Sequence, residues 1–129
     1  MLNLENFMTN PTQNLEAEIV AKGAALAPRI TPKDIEENIA ESYYFTGENG
    51  VRGGSLCRGG TGYDVPVSLP MNLLTFCVLV LKNGFTVTGE SACASPENFN
   101  AEIGCRIARE NAVQKIWPLM GYELRSKLM

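Results

Sequence analysis

The pattern of apolar and polar residues is clearest in the second half of the chain, where it predicts a β-hairpin. The run Leu73–Leu81 is apolar at every position except Thr75, and Phe85–Thr88 then alternates between apolar and polar residues. Between them lies Asn83-Gly84, a pair that is typical of a tight turn joining two antiparallel strands. We therefore expect an antiparallel hairpin with Phe85 at the start of its second strand.

The first strand of this hairpin is apolar on both faces, so neither face is suited to contact with water. One face is expected to be covered by helices of the same chain, and the other by a second subunit. The remaining N-terminal helices are short and only moderately apolar, which leaves too little of the chain to cover everything. The pattern therefore predicts a homo-oligomer.

Helical spacing of apolar residues predicts two short helices near the N-terminus. The first extends from Asn14 to Ala27 and is closed by Pro28. The second begins at Thr31, whose hydroxyl can cap a helix, and continues through Pro32 and Asp34, which suit a first turn. The chain then enters Tyr43–Thr46, whose aromatic residues favour an extended segment.

A longer helix is predicted after the hairpin, from about Glu97 to Trp117. Ser95 can cap it, Pro96 fits its first turn, and Pro118 is expected to end it. At about 100° per residue, one apolar arc of this helix contains the expected core contacts. These are Phe99, Ile103, Val113 and Trp117.

The predicted fold class is α+β, with a small antiparallel sheet packed by the long C-terminal helix and preceded by a helical arm. A chain of 129 residues is the length of one domain. Within it we distinguish residues 1–46 as the N-terminal arm, residues 47–70 as a glycine-rich loop region, and residues 71–129 as the core of hairpin and helices.

The glycine-rich region is predicted to be irregular, because seven glycines between Gly47 and Gly62 disfavour a regular helix. It matches neither a P-loop nor a dinucleotide-binding fingerprint. Two interpretations remain open: a plain mobile loop, or a nest of backbone amides that binds an anion together with Arg52 and Arg58.

The long helix carries two arginines, Arg106 and Arg109, near its apolar arc. In one interpretation, Arg106 forms successive ion pairs with Glu102 and Glu110 at the edge of the core. In the other, the two guanidinium groups hold a phosphate, in the fork geometry that suits arginine. The spacing alone leaves both interpretations open.

The amino-acid composition limits the classes of ligand and reaction that the chain can support. The 11 basic and 14 acidic residues give a formal charge of −3, which disfavours a groove for long nucleic acid and favours a small ligand at a local basic spot. Histidine is absent, which removes Ser-His and Cys-His nucleophile pairs, imidazole proton shuttles and histidine-containing metal sites. We expect a binding protein rather than an enzyme, with no cofactor and no metal.

The cysteines and the apolar runs indicate in which cellular compartment the protein is expected. The four cysteines form no CxxC pair and match no zinc spacing, so we expect reduced structural thiols in a cytosolic protein. The N-terminus lacks the basic start and apolar core of a signal peptide. The longest apolar run is less than half of the roughly 20 residues needed to cross a bilayer, so no membrane partner is expected.

Residues 72–128 resemble a small protein family common in tailed phages and prophages. The resemblance rests on the Asn-Gly hairpin followed in order by ESAC, SPENF, AEIG, IARENA and KIWPL-GY-L. The family is in turn similar to the first Thoeris anti-defence protein. Members of that group are phage-encoded sponges that sequester cyclic nucleotide immune signals without degrading them. Cys105 departs from the family, which usually carries a basic residue after AEIG.

The resemblance implies a ligand, a site and an assembly. The ligands would be cyclic ADP-ribose isomers and cyclic di- or trinucleotides, captured in the host cytoplasm by a dimer that assembles into a hexamer. Arg106 and Arg109 would clamp phosphate, and Asn98 would reach a ribose or base edge. Either Phe85 or the pair Tyr44 and Phe45 would stack on a base.

Two other functions are weighed against a sponge. A phage structural or regulatory interaction module would use the apolar hairpin and Trp117 as a protein interface and would bind no nucleotide. A nucleotide-directed enzyme would need an acidic metal cluster, and the acidic runs Glu16/Glu18 and Asp34/Glu36/Glu37 are better explained as solvated helix faces.

Overall fold

A computed structural model describes residues 11–24 and 27–129. Its described part confirms the α+β class: a three-stranded antiparallel sheet packs against a long C-terminal helix. The helices are α1 Pro11–Ala21, α2 Pro32–Glu37, α3 Gly47–Cys57 and α4 Ala101–Lys127; the strands are β1 Ile39–Thr46, β2 Leu74–Leu81 and β3 Thr86–Ala92; two short 3₁₀ helices are Leu69–Leu73 and Pro96–Asn98.

The chain divides into two compact units. One consists of residues 38–116 and contains the sheet, α3 and the first part of α4; the other consists of residues up to 37 together with residues 117–129. The boundary in α4 lies between Ile116 and Trp117, next to Pro118.

The predicted hairpin is confirmed. β2 and β3 pair in antiparallel fashion, and Gly84 in the turn has a φ of 89°, a conformation that favours glycine. The backbone N–H of Leu81 donates to the carbonyl of Phe85 at 2.8 Å. Phe85 itself lies in the loop rather than in the strand, and β3 extends four residues beyond the predicted end.

β1 pairs with the other edge of β2, so the strand order is β1-β2-β3. The predicted extended segment at residues 43–46 is confirmed, and the strand begins earlier, at Ile39. Ile39 lies opposite Leu81 but Glu41 lies opposite Val80, so Ala40 is an extra residue accommodated in a bulge. From Glu41 onward, β1 and β2 pair residue for residue.

One face of the sheet is buried under α4. Alternate residues of β2 are buried on this side, and they are Thr75, Cys77, Leu79 and Leu81. The helix packs here through the small residues Gly104, Ala108 and Ala112. Gly89 of β3 allows the closest approach, because a Cβ at that position would fall within 3 Å of backbone atoms of α4. The core is therefore thin and depends on small side chains.

The predicted apolar arc of the long helix is wrong in part. Ile103 is 40% exposed and the other three residues of the arc are half-buried, whereas the fully buried positions are the small residues together with Ile116. The reason is the close approach of backbones: a helix that lies this near to a sheet has space for glycine and alanine but not for large side chains. The residues of α4 that contact the sheet are therefore mostly small ones and not its most hydrophobic ones.

The predicted ends of this helix are also wrong. Asn100 caps it in place of Ser95, since the N–H of Ile103 donates to Asn100 Oδ1 at 3.1 Å. Residues 96–98 form a separate 3₁₀ turn, and the helix continues through Pro118 to Lys127. Proline removes one backbone donor and crowds the preceding turn, but its φ is helical, so a helix can continue through it.

The glycine-rich region contains a helix where none was predicted. Thr46 and Asn49 form a reciprocal capping box at the start of α3: the N–H of Asn49 donates to Thr46 Oγ1 at 3.1 Å, and the N–H of Thr46 donates to Asn49 Oδ1 at 2.9 Å. Gly47 is buried against Met71, whose Cε would lie 2.8 Å from a Cβ there. Capping and tight packing thus outweigh the poor helix propensity of glycine.

The N-terminal unit agrees with the prediction in part. α1 covers residues 11–21 rather than 14–27, and residues 25–26 of the predicted helix lie outside the described residues. The start of α2 is confirmed by reciprocal bonds between Thr31 and Asp34, at 3.2 and 2.9 Å. Arg29 pairs with Glu16, and Ile35 is buried.

Candidate ligand-binding site

The structure brings two of the predicted site residues together at the β1 edge of the sheet. Ser42 and Tyr44 are two positions apart on β1, so they share a face, and Tyr44 lies opposite the buried Cys77. That face is the one covered by α4. Arg109 of α4 donates to Ser42 Oγ at 2.8 Å and to the Tyr44 hydroxyl at 3.5 Å. One guanidinium group therefore contacts two hydroxyls and lies beside an aromatic residue.

Cys77 forms the floor of this cluster. Burial raises the pKa of its thiol, although a hydrogen bond with Tyr44 and the positive charge of Arg109 both act in the opposite direction. The thiol is therefore protonated at neutral pH and contributes no negative charge beside Arg109. All four cysteines are free thiols; Cys57 is exposed, Cys77 is buried, and Cys93 and Cys105 are half-buried.

Arg106 lies on the same flank of α4 as Arg109. The two are three positions apart, which places them about 60° apart around the helix axis, as neighbours on its surface. Both are half-buried. Two neighbouring guanidinium groups can share one phosphate or hold two, because each presents several donors in a fixed plane.

Two other predicted residues are presented by separate elements. Phe85 is 56% exposed in the hairpin loop beyond the end of β2. Cys77, which lies opposite Tyr44, is roughly 13 Å along the strand from the end of β2. Asn98 is exposed in the 3₁₀ turn before α4, where its N–H donates to the Ser95 carbonyl at 3.1 Å. The two side chains therefore lie on different elements from Ser42 and Tyr44.

The two arginines of the glycine-rich region point in different directions. The Arg52 guanidinium donates to Glu48 Oε1 at 2.8 and 3.1 Å and to the Gly62 carbonyl at 3.0 Å, and it lies 4.6 Å from the centre of the Tyr63 ring. Arg58 folds back toward Gly54 instead. Gly54 is about 200° around the helix from Arg52. The structure does not bring these arginines to one site.

Backbone amides of this region bind a carboxylate of the chain itself, where one of the two interpretations expects an external anion. Asp64 accepts a hydrogen bond from the Ser55 hydroxyl and further bonds from backbone N–H groups of its own loop. The bond from Ser55 is the main cause that lowers the pKa of Asp64, followed by the backbone bonds. Ser55 also accepts from the N–H of Gly62 at 3.2 Å. We call this arrangement of Arg52, Ser55 and Asp64 with residues 59–64 the loop clamp.

Several residues of these arrangements were missed by sequence reasoning. Ser42 is two positions before Tyr44, so the period of a strand would have placed both on one face once β1 was recognised. Ser55 and Asp64 carried no such signal, because their contact depends on the loop that follows α3. Sequence patterns indicate shared faces within an element but not contacts made by irregular segments.

The described cluster combines charged, polar and aromatic groups. It offers guanidinium donors, hydroxyls and an aromatic ring, which together recognise phosphates, sugars and bases. In residues 11–24 and 27–129, no group of three acidic or cysteine side chains could hold a metal ion. No helix among the same residues is long and apolar enough to cross a membrane.

Comparison with known proteins supports the resemblance to a phage family. Residues 30–128 match the family described as "Phage protein (N4 Gp49/phage Sf6 gene 66) family". The match includes the whole sheet, α3 and the cluster at Arg109. No curated protein and no solved structure matches the chain.

Proposed function

Because the chain belongs to the Phage protein (N4 Gp49/phage Sf6 gene 66) family, we propose that it is a phage anti-defence sponge. It captures cyclic nucleotide immune signals in the host cytoplasm and holds them without cleaving them. The ligand class comprises cyclic ADP-ribose isomers and cyclic di- and trinucleotides. The resemblance of residues 72–128 implies this class, and the geometry around Arg109 supports it.

The observation that carries the proposal is the contact of Arg109 with Ser42 and Tyr44. A cyclic nucleotide presents phosphates, ribose hydroxyls and flat bases, and these need guanidinium donors, hydroxyl partners and an aromatic face. The cluster provides all three within one side of the sheet. Arg106, as a neighbour on the helix surface, adds a second guanidinium for the same or another phosphate.

The same residues support binding without turnover. Hydrolysis of a phosphodiester needs a general base, an activated nucleophile or bound metal ions. The chain has no histidine, and burial raises the pKa of the Cys77 thiol, so this thiol is protonated at neutral pH. The formal charge of −3 disfavours long nucleic acid and suits a small ligand held at one basic position.

Capture followed by heat release tests this function. The purified protein is incubated with a panel of cyclic nucleotides, desalted, heated to denature it, and the supernatant is analysed by mass spectrometry. A sponge releases intact ligand. Altered ligand would show an enzyme, and the absence of any retained ligand would contradict the proposal.

Variants identify the site. We expect Arg109→Ala to weaken binding by about tenfold to a hundredfold, since a charge-assisted contact is worth roughly 1.5–3 kcal/mol when shielded from water. Arg58→Ala tests the glycine-rich region, and Arg125→Ala removes an exposed arginine from the last turn of α4 as a matched control. Calorimetric titration gives affinity and thermal melts report folding. If Arg109→Ala binds normally while Arg58→Ala does not, the site lies at the glycine-rich region.

A second candidate function is a phage structural or regulatory interaction module. It is favoured by one observation: large apolar side chains that are exposed or half-buried line the face of the sheet opposite α4. This function predicts stable assemblies with no affinity for any nucleotide of the panel.

A further inference from the structure

Two cysteines lie on opposite sides of the contact between α4 and the sheet. Cys77 is fully buried in β2, on the face that α4 covers. Cys105 is half-buried in α4, one turn before Arg109. At about 100° per residue, Cys105 falls between the buried positions Ala112 and Ile116 around the helix axis. Its side chain therefore belongs to the side of α4 that packs on the sheet.

Contacts before and after Cys105 show which part of β2 it lies over. The glycine that precedes it packs on Thr75, whose Oγ1 would be 3.0 Å from an added Cβ. One turn later, Arg109 donates to the Tyr44 hydroxyl at 3.5 Å, and Tyr44 lies opposite Cys77. Thr75 and Cys77 are successive positions on one face of β2. These two contacts place Cys105 over the part of β2 that contains Cys77.

The backbones of α4 and the sheet are close enough for a covalent bond between these side chains. A disulfide joins Cα atoms roughly 4.4–6.8 Å apart. Gly89 lies opposite Cys77 on β3, and a Cβ there would fall within 3 Å of the backbone of Ala108 and Ala112. Burial is the main cause that raises the pKa of the Cys77 thiol, and Cys105 is near enough to raise it further.

The two thiols differ in access to solvent, and this difference gives them different chemical roles. Oxidation of a thiol in solution requires exposure, which the fully buried Cys77 does not have. The half-buried Cys105 is therefore the thiol that an oxidant meets first. The other two cysteines lie on other elements: Cys57 ends α3, and Cys93 follows β3, where its thiol donates to the Ser95 carbonyl at 3.1 Å.

We propose that Cys105 and Cys77 form a redox-active pair, which a peroxide converts into a disulfide that ties α4 to β2. The Cys105 sulfur attacks the peroxide, the O–O bond breaks, and the thiol proton leaves with the second oxygen as water or an alcohol. The Cys77 sulfur then displaces the hydroxyl group of the Cys105 sulfenic acid, which leaves as water with the Cys77 proton. Each sulfur gives one electron, and the peroxide is reduced by two.

The pair goes beyond the proposed function and does not rest on it, because neither step involves a nucleotide. The bond would fix α4 on the sheet next to the contact of Arg109 with Tyr44. Since the two cysteines belong to one chain and face each other in the folded state, the reaction is expected within a single chain and without rearrangement of the fold.

Two matched variants test the pair. Cys57→Ser/Cys93→Ser keeps only the two proposed cysteines, and Cys77→Ala/Cys105→Ser keeps only the other two. Both are treated with hydrogen peroxide at micromolar protein concentration, denatured, and labelled with N-ethylmaleimide. Mass spectrometry counts the remaining thiols, and circular dichroism verifies folding before treatment. If either variant fails to fold, the parent and Cys105→Ser decide, by digestion and identification of linked peptides.

We expect Cys57→Ser/Cys93→Ser to lose two hydrogens, to take up no label, and to yield a peptide that links Cys77 with Cys105. Dithiothreitol should restore both labels. The oxidised form should melt about 5 °C or more above the reduced form, because a bond made in the native geometry constrains the unfolded chain. The variant without the pair should form no bond within one chain.

Three results would overturn the proposal. One is added oxygen on Cys105 with the Cys77 thiol still free to react with the label. Another is a disulfide between two chains in place of one within a chain. The third is an oxidised form that melts no higher than the reduced one, which would show that the bond requires distortion of the contact between α4 and the sheet.

Discussion

Two contacts within the larger unit hold helices in place by different means. α4 lies on the sheet through Gly89, Gly104 and two alanines, so its position depends on volume and close approach. The loop clamp on α3 uses a guanidinium, a hydroxyl and a carboxylate, and much of it is accessible to solvent. Both contacts need the absence of a side chain at a glycine, since a Cβ at Gly60 would lie 2.5 Å from Asp64 Oδ2 and from Ser55 Oγ. The second contact needs polar partners in addition.

The difference predicts how each contact responds to change. A contact fixed by volume is sensitive to a single added carbon and insensitive to pH. A polar contact loses strength when a partner is removed or protonated. Substitutions in each contact test this difference.

Gly89→Ala is expected to have the largest effect. Its Cβ would overlap the backbone of α4 near Ala108 and Ala112, and backbone cannot move aside as a flexible side chain can. We expect a loss of about 3 kcal/mol or more in the free energy of unfolding, measured by urea denaturation.

Gly53→Ala is its matched control. Nothing lies within 4 Å of a Cβ at this helical position, so the same substitution is expected to stabilise by about 0.5–1 kcal/mol. Equal effects of the two substitutions would show that α4 does not lie as close to β3 as described.

Ser55→Ala is expected to have an intermediate effect on the loop clamp. Ser55 is 1% exposed, and its hydroxyl serves both Asp64 and the N–H of Gly62. Its removal takes the hydroxyl acceptor from the buried N–H of Gly62 and one of several donors from the exposed Asp64, which costs about 1–3 kcal/mol. Ser68→Ala removes an exposed hydroxyl that makes no capping bond and should change stability by less than about 0.5 kcal/mol. A neutral Ser55→Ala would refute the clamp.

The pH dependence of the loop clamp gives the smallest expected effect. The pKa of Asp64 is lowered in the folded state, so its contribution is present above the unfolded value of 3.8 and is lost as pH falls through the folded value. The stability difference between the parent and Asp64→Asn should therefore shrink from about pH 5 to about pH 2. Other carboxylates are common to both proteins and cancel. A constant difference would contradict the role assigned to the carboxylate.

The hairpin was predictable because its signals are local. Asn83-Gly84 between two apolar runs is enough to define the turn, and the structure confirms it. The start of α2 was predictable for the same reason, since Thr31 and Asp34 lie within one turn. The helix α3 was not predictable from composition, because its capping box and its packing against Met71 outweigh glycine propensity only in the folded chain.

The packing face of α4 shows where hydrophobic periodicity fails. The pattern selected Ile103, whereas the sheet contacts small residues, which a hydrophobicity scale ranks as weak signals. Among the candidate site residues, Arg109 and Tyr44 meet because a strand and a distant helix are brought together by this packing. Sequence reasoning could choose both residues for their chemistry but could not derive their contact.

The bulge at Ala40 settles which side chains of β1 face Arg109. If Ala40 instead took a regular pairing with Val80, every later residue would move one position along β2 and reverse its side. Tyr43 and Phe45 would then lie under α4, while Ser42 and Tyr44 would turn to the opposite face of the sheet. A relative that lacks a residue at position 40 would keep the same side chains on each face of the sheet and would pair with β2 without a bulge. A deletion a few residues later would move the following side chains of β1 to the opposite face. A change in the length of β1 at Ala40 therefore leaves the side chains on each face of the sheet unaltered, whereas a change at a later position exchanges them.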